Sequence, residues 1–174
     1  MLQFDRATQA QYEQILALYE DAIASLARDG IEIYWDLDHH PSRAFLRRAI
    51  ERGELFVALR DGRVVGAFVM DANQRPEYDA IAWACRATSD EVRVMHVLAV
   101  HSSARGAGVG RFLRNAAKDE CRRMRIRSLR LDALTCNAPA CALYRSEGFS
   151  SVESRIIHIP DVGPHPFEVF EYAP

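Results

Sequence analysis

The feature that most constrains the fold is a run in which an apolar stretch passes through a glycine-rich segment into a helical pattern. Residues 92–100 are almost all apolar and are long enough for a buried strand. Gly106, Gly108 and Gly110 follow, and apolar residues recur at helical spacing from Val109 onward. Such a loop exposes backbone N–H groups at the positive end of a helix dipole, which favours binding of an anion such as a phosphate.

The spacing of the glycines excludes two common phosphate-binding motifs. A P-loop ends in Gly-Lys-Ser/Thr, and the chain contains no such triplet. A dinucleotide fingerprint requires a third glycine at the position where Arg111 stands. The pattern that remains is Arg105-x-x-Gly108-x-Gly110. The plainest interpretation of this pattern is a loop whose glycines only allow a tight turn.

Capping and turn signals predict the other elements. Thr8 and Gln11 form a capping box ahead of a helical pattern that Gly30 ends, and Asp61-Gly62 is a two-residue hairpin signal. The predicted elements are, in chain order, helices before Gly30 and after Ser42, strands at 55–59 and 64–70, a loop at 71–90 with an alternative short strand at 81–84, a strand at 92–100, a helix from 109, a strand at 129–134, a helix at 137–145, and strands at 149–159 and 167–172. This order predicts an α/β chain with a mixed sheet and a strand-helix-strand crossover, in one domain over residues 1–174.

Composition and charge limit the class of protein. Hydrophobic residues make up 49% and charged residues 26% of the chain, as in ordinary globular proteins. The net charge is −2, but nine basic residues lie between 105 and 130, where only Asp119 and Glu120 oppose them. This basic stretch leaves a nucleic-acid-binding module open as an alternative function, although no aromatic-rich RNA-binding motif accompanies it.

Cysteine usage and hydropathy indicate a cytoplasmic protein. The four cysteines form no C-x-x-C pair, and no secretion signal opens the chain, so we expect reduced thiols. No apolar run approaches the roughly 18 residues of a membrane span, so no membrane partner is expected. The acidic and histidine residues between Asp36 and His40 lack a metal-ligand spacing, and no metal is predicted.

A second motif lies after the predicted strand at 129–134. Residues 137–149 fit the pattern N-x-x-A-x-x-L-Y-x-x-x-G-F. Together with Arg105-x-x-Gly108-x-Gly110, this motif resembles the GNAT superfamily of N-acetyltransferases, and the resemblance extends over essentially the whole chain. It implies an α/β (α+β) fold with a central mixed, mostly antiparallel sheet of six to seven strands. Helices would flank this sheet, and it would be splayed at its central parallel strand pair.

The resemblance also implies acetyl-CoA as the cosubstrate and assigns residues to it. Backbone groups of residues 98–100 would hold the pantetheine arm and the thioester carbonyl, and residues 105–110 would cradle the pyrophosphate. The implied cofactor-binding residues are Leu98, Ala99, Val100, Arg105, Gly106, Ala107, Gly108, Val109, Gly110, Asn137, Ala140, Leu143 and Tyr144. Tyr144 would also be catalytic, with its hydroxyl assisting the departing thiolate. The alternative for Tyr144 is a core aromatic residue beside Leu143 and Phe149.

The attacking amine must lose a proton, and here the chain departs from the family. The position of the glutamate that serves in many members is Val94 in this sequence. Residues two apart in a strand share a face, which makes His96 the nearest ionisable side chain. An imidazole with an ordinary pKa of about 6.5 suits a general base, and a hydrogen-bonded structural histidine is the alternative.

The acceptor side is predicted in the loop between the first two helices and in residues 71–90. Tyr34, Trp35 and Asp36 are the implied substrate-binding residues, because aromatic rings with carboxylates can hold a cationic amine. The alternative is that Trp35 only anchors this loop to the core.

The sequence therefore predicts transfer of an acetyl group to a primary amine of a small molecule or peptide, by direct attack within a ternary complex. A non-catalytic acetyl-CoA sensor is a third alternative beside the nucleic-acid-binding module. A homodimer is compatible with the resemblance.

Overall fold

Local signals set most element boundaries in the computed structural model, which describes residues 1–174. The elements are β1 (Leu2–Arg6), α1 (Tyr12–Arg28), α2 (Arg43–Glu51), β2 (Leu55–Arg60), β3 (Arg63–Asp71), β4 (Val92–Val100), α3 (Val109–Arg123), β5 (Ser128–Leu134), α4 (Ala138–Ser146), β6 (Ser150–Ile159) and β7 (Gly163–Tyr172). Short 3₁₀ turns lie before α1, before α3 and twice between β3 and β4. None of the four α-helices combines the length and apolar composition that a membrane crossing needs.

Polar side chains begin the helices as the sequence predicts. The Thr8 N–H donates to Gln11 Oε1 at 2.8 Å just ahead of α1, which is the contact that a capping box requires. The Ser42 hydroxyl accepts from the Phe45 N–H at 3.1 Å at the start of α2. These bonds satisfy N–H groups that a helix cannot pair within itself.

The strands form one mixed sheet in the order β1-β2-β3-β4-β5-β7-β6. The pairs β1–β2, β2–β3, β5–β7 and β6–β7 are antiparallel, and β4–β5 is parallel. The parallel ladder has only three residue pairs, Val92–Val94 with Ser128–Arg130, although the strands have nine and seven residues. The predicted sheet with a central parallel pair is confirmed.

The loop predicted at 71–90 is present, whereas one alternative is absent and one strand was missed. The alternative strand at 81–84 is absent, and this region holds a 3₁₀ turn at Pro76–Ala80 followed by Trp83, whose indole N–H donates to the Tyr78 carbonyl. The edge strand β1 was not predicted at all. Its five residues include only two apolar ones, so their alternation is too short to recognise without their pairing to β2.

The chain divides into two compact units. The first comprises residues 1–70 and 96–117, and its core packs one face of α1 with α2 and the β2–β3 hairpin. Ile15, Leu18, Tyr19 and Leu46 are fully buried in it. The burial follows the helical spacing of apolar residues in the sequence.

The second unit comprises residues 71–95 and 118–174. Leu129, Leu131 and Phe170 are fully buried on β5 and β7. A polar network is also buried, in which Glu171 accepts from Ser128 and contacts Arg130, whose guanidinium stacks 3.9 Å from the Trp83 ring centre. The single domain over residues 1–174 stays a prediction.

The basic stretch is less exposed than its sequence suggests. Arg114, Lys118 and Arg130 are buried, so three of the nine basic residues do not form a surface. The Lys118 ammonium donates to the Glu147 carbonyl and lies 4.7 Å from the Tyr172 ring centre. These contacts give the buried Lys118 charge the partners that it needs, and the burial of the three side chains weakens the argument for a phosphate-binding face.

Candidate functional site

The glycine-rich segment of the first unit connects β4 to α3 through a short loop. A 3₁₀ turn at Ser102–Ala104 follows β4, and Gly106 and Gly108 then adopt φ values of +74° and +78°. The first hydrogen bond of α3 runs from the Phe112 N–H to the Gly108 carbonyl at 2.9 Å. The N–H groups of Val109 and Gly110 therefore precede the hydrogen-bond ladder of the helix, as in helix starts that bind anions.

The same loop leaves room for an anion to approach. A Cβ atom built on Gly106 or Gly108 would meet no atom within 4 Å, so both positions face open space. The positive φ values are ones that other residues rarely adopt. The donor set therefore fits a pyrophosphate: backbone N–H groups, a helix of 15 residues and the guanidinium of Arg105.

Helix α1 holds this loop by two carboxylates. Asp21 accepts from the Ser102 N–H at 2.6 Å and from the Ser102 hydroxyl at 2.7 Å. Asp29, directly after α1, pairs with Arg105 at 2.9 Å. Burial of Asp21 acts to raise its pKa, but the hydrogen bonds from Ser102 and the charges of His101 and Arg105 together lower it. Asp21 is therefore charged at neutral pH and anchors the loop.

Strand β4 is turned at Val97. This residue has φ +48°, in the left-handed region that β-branched side chains rarely adopt. The buried hydroxyl of Tyr19 donates to the Val97 carbonyl at 2.8 Å. The implied thioester-binding residues Leu98, Ala99 and Val100 follow the turn directly.

Close packing against Gly66 positions the start of α3. A Cβ atom on Gly66 would lie 2.8 Å from Leu113 Cδ1, 3.0 Å from Val109 Cγ1 and 3.1 Å from the Ala99 carbonyl oxygen. Only a glycine on β3 lets the first turns of α3 and the end of β4 approach this closely. The position of the first turns of α3 therefore depends on this residue.

In the second unit, α4 carries the second motif. The Asn137 side chain caps this helix by accepting from the Ala140 N–H at 3.3 Å, and Leu143 is partly exposed. The Tyr144 ring is buried against Phe149 and Phe170, with centroid separations of 5.7 and 5.4 Å. The core packing of the Tyr144 ring and a role for its hydroxyl are compatible.

The residues considered for proton transfer lie on β4. Val94 is buried, and His96, two residues along, is half-buried directly before the turn at Val97. The assignment of His96 as a base stays a prediction.

A cavity of about 410 Å³ lies beside the loop between α1 and α2. Trp35 and Asp36 line it together with Glu20, Asp38 and Arg43, whereas Tyr34 does not. Asp36 accepts from the Asp38 N–H at 2.7 Å and pairs with His39, which lowers its pKa. Trp35 also packs edge-to-face on Tyr19 at 5.8 Å, so the anchoring alternative is present as well.

The second unit holds a larger cavity of about 630 Å³. Arg86, Arg127 and Arg130 line it with Trp83 and Asp79. Beside it, Asp132 accepts from the Tyr78 hydroxyl at 2.8 Å and from Arg75 at 3.0 Å. Burial, followed by the charge of Asp132, raises the pKa of Tyr78 well above its ordinary value.

Sequence reasoning missed the residues on α1, and directly after it, that contact the segment from Val97 to Arg105. Tyr19, Asp21 and Asp29 lie 76 to 81 residues before their partners. Tyr19 lies at one of the apolar positions that recur at helical spacing, as a core residue does. The two aspartates belong to no motif. No local signal in the sequence could have identified them.

The fold and the loop place the chain in a class of α/β proteins that combine a mixed sheet containing one parallel strand pair with a glycine loop leading into a helix, a helix start that can accept a phosphate group. The family model of the acetyltransferase (GNAT) family matches residues 16–149, which is well over half of the chain. The chain belongs to the GNAT family and is an acyltransferase of the N-acetyltransferase type. Comparison with curated proteins gave no match.

Solved structures share the fold. A GNAT-family acetyltransferase from Streptococcus agalactiae is 20% identical with a TM-score of 0.81, covering 99% of this chain and 95% of that one. A GNAT-family acetyltransferase from Listeria monocytogenes is 18% identical with a TM-score of 0.77, covering 99% and 95%. A ribosomal-protein-alanine N-acetyltransferase from Brucella melitensis is 22% identical with a TM-score of 0.70, covering 99% of both chains. At these identities the likeness concerns the fold alone.

Proposed function

We propose that the chain transfers an acetyl group from acetyl-CoA to a primary amine of a small molecule or peptide, by direct attack within a ternary complex. The observation that carries this proposal is the loop of the first unit with its two positive-φ glycines at the start of α3. Acetyl-CoA, the cosubstrate of the family, bears a pyrophosphate, which is the kind of anion that such a helix start binds.

In this proposal different residues bind different parts of acetyl-CoA. Residues 105–110 bind the pyrophosphate through backbone N–H groups, and Arg105 contributes charge. The backbone of Leu98, Ala99 and Val100 binds the pantetheine arm and the thioester carbonyl. Asn137, which caps α4, contacts the pantetheine arm, and Ala140 and Leu143 on α4 are further acetyl-CoA-binding residues.

The proposed chemistry gives Tyr144 and His96 roles in proton transfer. Attack of an amine on a thioester builds negative charge on the carbonyl oxygen, which backbone N–H groups on β4 would stabilise. The sulfur must leave with negative charge, and the Tyr144 hydroxyl would donate a hydrogen bond to it. His96 would accept the proton of the attacking amine, directly or through water.

The acceptor would bind at the cavity that Trp35 and Asp36 line. Glu20, Asp36 and Asp38 bring three carboxylates to this cavity against the single guanidinium of Arg43, so it favours a cationic amine. The Trp35 ring adds a face on which a cation can stack. Tyr34 is adjacent in the chain and completes the proposed substrate segment. A cytoplasmic location and a homodimeric state stay predictions from the sequence.

The change Gly108→Glu tests the donor site. It places bulk and a negative charge where the pyrophosphate is proposed to bind, and should weaken acetyl-CoA binding by roughly two orders of magnitude in calorimetry. The matched control is Gly62→Glu in the β2–β3 turn. Gly62 has φ +75° and open space around its Cβ position, so backbone strain is equal in both variants. Equal affinity of the Gly108→Glu variant and the wild type for acetyl-CoA would exclude the assignment.

The acceptor is identified by thiol release from acetyl-CoA with polyamines, amino acids, aminoglycosides and peptide N-termini. Release with none of them, despite acetyl-CoA binding, would favour a sensor.

With the best acceptor, the pH dependence of kcat/KM should lose or shift its acid limb in His96→Gln. An unaltered profile would mean that His96 is a structural residue. Salt-dependent binding of random DNA by the protein would instead support the alternative function of a nucleic-acid-binding module.

A further inference from the structure

The turn at Val97 needs an external interaction to hold it. A valine at φ +48° is unfavourable because its branched side chain crowds the backbone, and such residues persist only where the surrounding structure maintains them. A residue of this conformation inside a strand re-aims the peptide groups that follow it, as a bulge does. The peptide groups concerned are those of Leu98, Ala99 and Val100.

The Tyr19 hydroxyl supplies that interaction. Its side chain is fully buried in the first unit, and the hydroxyl donates to the Val97 carbonyl at 2.8 Å. Burial raises the pKa of Tyr19, so the hydroxyl keeps its proton and remains a donor at neutral pH.

The same helix anchors the segment at its far end. Asp21, two residues after Tyr19 on α1, holds Ser102 through its N–H and its hydroxyl. The backbone from Val97 to Ser102 is therefore fixed at both ends by α1. The Tyr19 contact acts at the turn itself, so this hydroxyl bears directly on the orientation of the peptide groups after Val97.

We propose that Tyr19 is a positioning residue for acetyl transfer, which orients the backbone N–H groups of residues 98–100 toward the thioester carbonyl by holding the Val97 carbonyl. This inference rests on the proposed function, in which those groups bind the thioester. Tyr19 touches neither substrate and acts through Val97. Without the hydroxyl, Val97 can relax toward an extended φ, and the following N–H groups rotate away from the thioester.

The experiment compares acetyl-CoA with CoA in Tyr19→Phe. CoA has the same pantetheine arm but lacks the thioester carbonyl, so its affinity should fall by less than that of acetyl-CoA, which should lose about a further tenfold, the equivalent of one hydrogen bond. The ¹³C signal of carbonyl-labelled acetyl-CoA gives a spectroscopic test. In the wild type the signal should move downfield on binding, because hydrogen bonding deshields the carbonyl carbon. In Tyr19→Phe at saturation, at least half of this shift should be lost.

Tyr12→Phe is the matched control. Tyr12 lies on the same helix, is also buried, and donates its hydroxyl to a backbone carbonyl, that of Arg43, at 3.2 Å. Its removal costs the same kind of bond at a place remote from β4. We expect both affinities and the carbonyl shift to stay as in the wild type. Equal loss of the shift in both variants would overturn the proposal, since the effect would then be one of helix stability.

A double variant, Tyr19→Phe with Val97→Gly, tests the cause. Glycine adopts φ near +50° without steric penalty, so the turn no longer needs the hydroxyl. At least half of the lost carbonyl shift should return. This variant also decides the matter if Tyr19→Phe alone folds poorly, and a shift near that of free acetyl-CoA in the double variant would overturn the proposal.

Failure of this inference is distinguishable from failure of the proposed function. If wild-type protein does not bind acetyl-CoA, the proposed function fails. If wild type and Tyr19→Phe bind acetyl-CoA equally and show the same carbonyl shift, only the role of Tyr19 fails.

Discussion

At the scale of single residues, several site residues serve the fold and the proposed chemistry with different atoms. The Tyr144 ring fills the core between Phe149 and Phe170, and its hydroxyl is the part that the chemistry would use. Asn137 uses its side-chain oxygen to cap α4, which leaves its amide nitrogen for a ligand. A motif residue can therefore be a packing residue and a functional one together.

Tyr144→Phe separates the two roles of this residue. The ring stays packed, so the free energy of unfolding should change by less than about 1 kcal/mol. The rate of acetyl transfer at saturation should fall by about 100-fold if protonation of the sulfur limits turnover, with acetyl-CoA affinity nearly unchanged. Thiol-release assays with the acceptor found by the screen measure the rate. Calorimetry measures the acetyl-CoA affinity, and urea unfolding measures the free energy of unfolding.

The control is Tyr172→Phe, whose ring lies 5.5 Å from Phe149 in the same aromatic cluster and whose hydroxyl accepts from Arg122. It should turn over at the wild-type rate. A wild-type rate for Tyr144→Phe would mean either that the hydroxyl is not used or that deprotonation of the amine is limiting. A more reactive thioester donor then distinguishes the two, because only the second case leaves the rate unchanged.

At the scale of elements, the position of α3 depends on the absence of a side chain at Gly66 on β3. Gly66 allows Val109 and Leu113 to pack directly on the strand backbone. The start of α3 therefore lies close to the end of β4. Helix α1 holds the intervening loop through Asp21 and Asp29. The position of the helix start is thus a property of packed elements, and the glycine motif alone does not produce it.

Gly66→Ala tests this packing. The added methyl group overlaps Leu113, Val109 and the backbone at Ala99, so the helix must move, at a cost of about 1 to 3 kcal/mol in unfolding free energy. Displacement of the helix start should also weaken acetyl-CoA binding by roughly fivefold, about 1 kcal/mol. Urea unfolding and calorimetry measure the two effects.

Gly62→Ala is the comparison for this variant, since Gly62 has a positive φ but no crowding around its Cβ position. It should lose stability without losing acetyl-CoA affinity. If Gly66→Ala keeps the affinity of the wild type while losing stability, the close approach of α3 serves folding only.

At the scale of the whole molecule, carboxylates that bind N–H groups couple the fold to pH. The pKa of Asp21 is lowered from its ordinary value of 3.8, and those of Asp36 and Glu91 are lowered as well, chiefly by backbone N–H groups. A carboxyl whose pKa is lower in the folded chain contributes stability above its unfolded pKa. That contribution is lost as pH falls through the folded pKa.

We therefore expect the urea midpoint of unfolding to fall steadily between about pH 5 and pH 2. Asp21→Asn should cost about 1 to 3 kcal/mol at pH 7, where the charged form accepts two hydrogen bonds, and much less at pH 2. Asp79→Asn, which alters an exposed carboxyl, should follow the wild-type pH dependence. A pH-independent cost of Asp21→Asn would contradict the linkage.

The sequence by itself determined the order of the helices and strands after β1, the helix caps, the hairpin at Asp61-Gly62, the GNAT family and the glycine loop at the start of α3. Each of these depends on residues close together in the chain, whose periodicity, turn chemistry and spacing are readable directly. The tertiary structure alone decided the edge strand β1, the burial of Arg114 and Lys118, the cavity beside Trp35 and the hold of Tyr19 on Val97. These features join residues far apart in the chain, and packing selects such partners by shape and by the need of buried polar groups for hydrogen bonds, which no local pattern encodes.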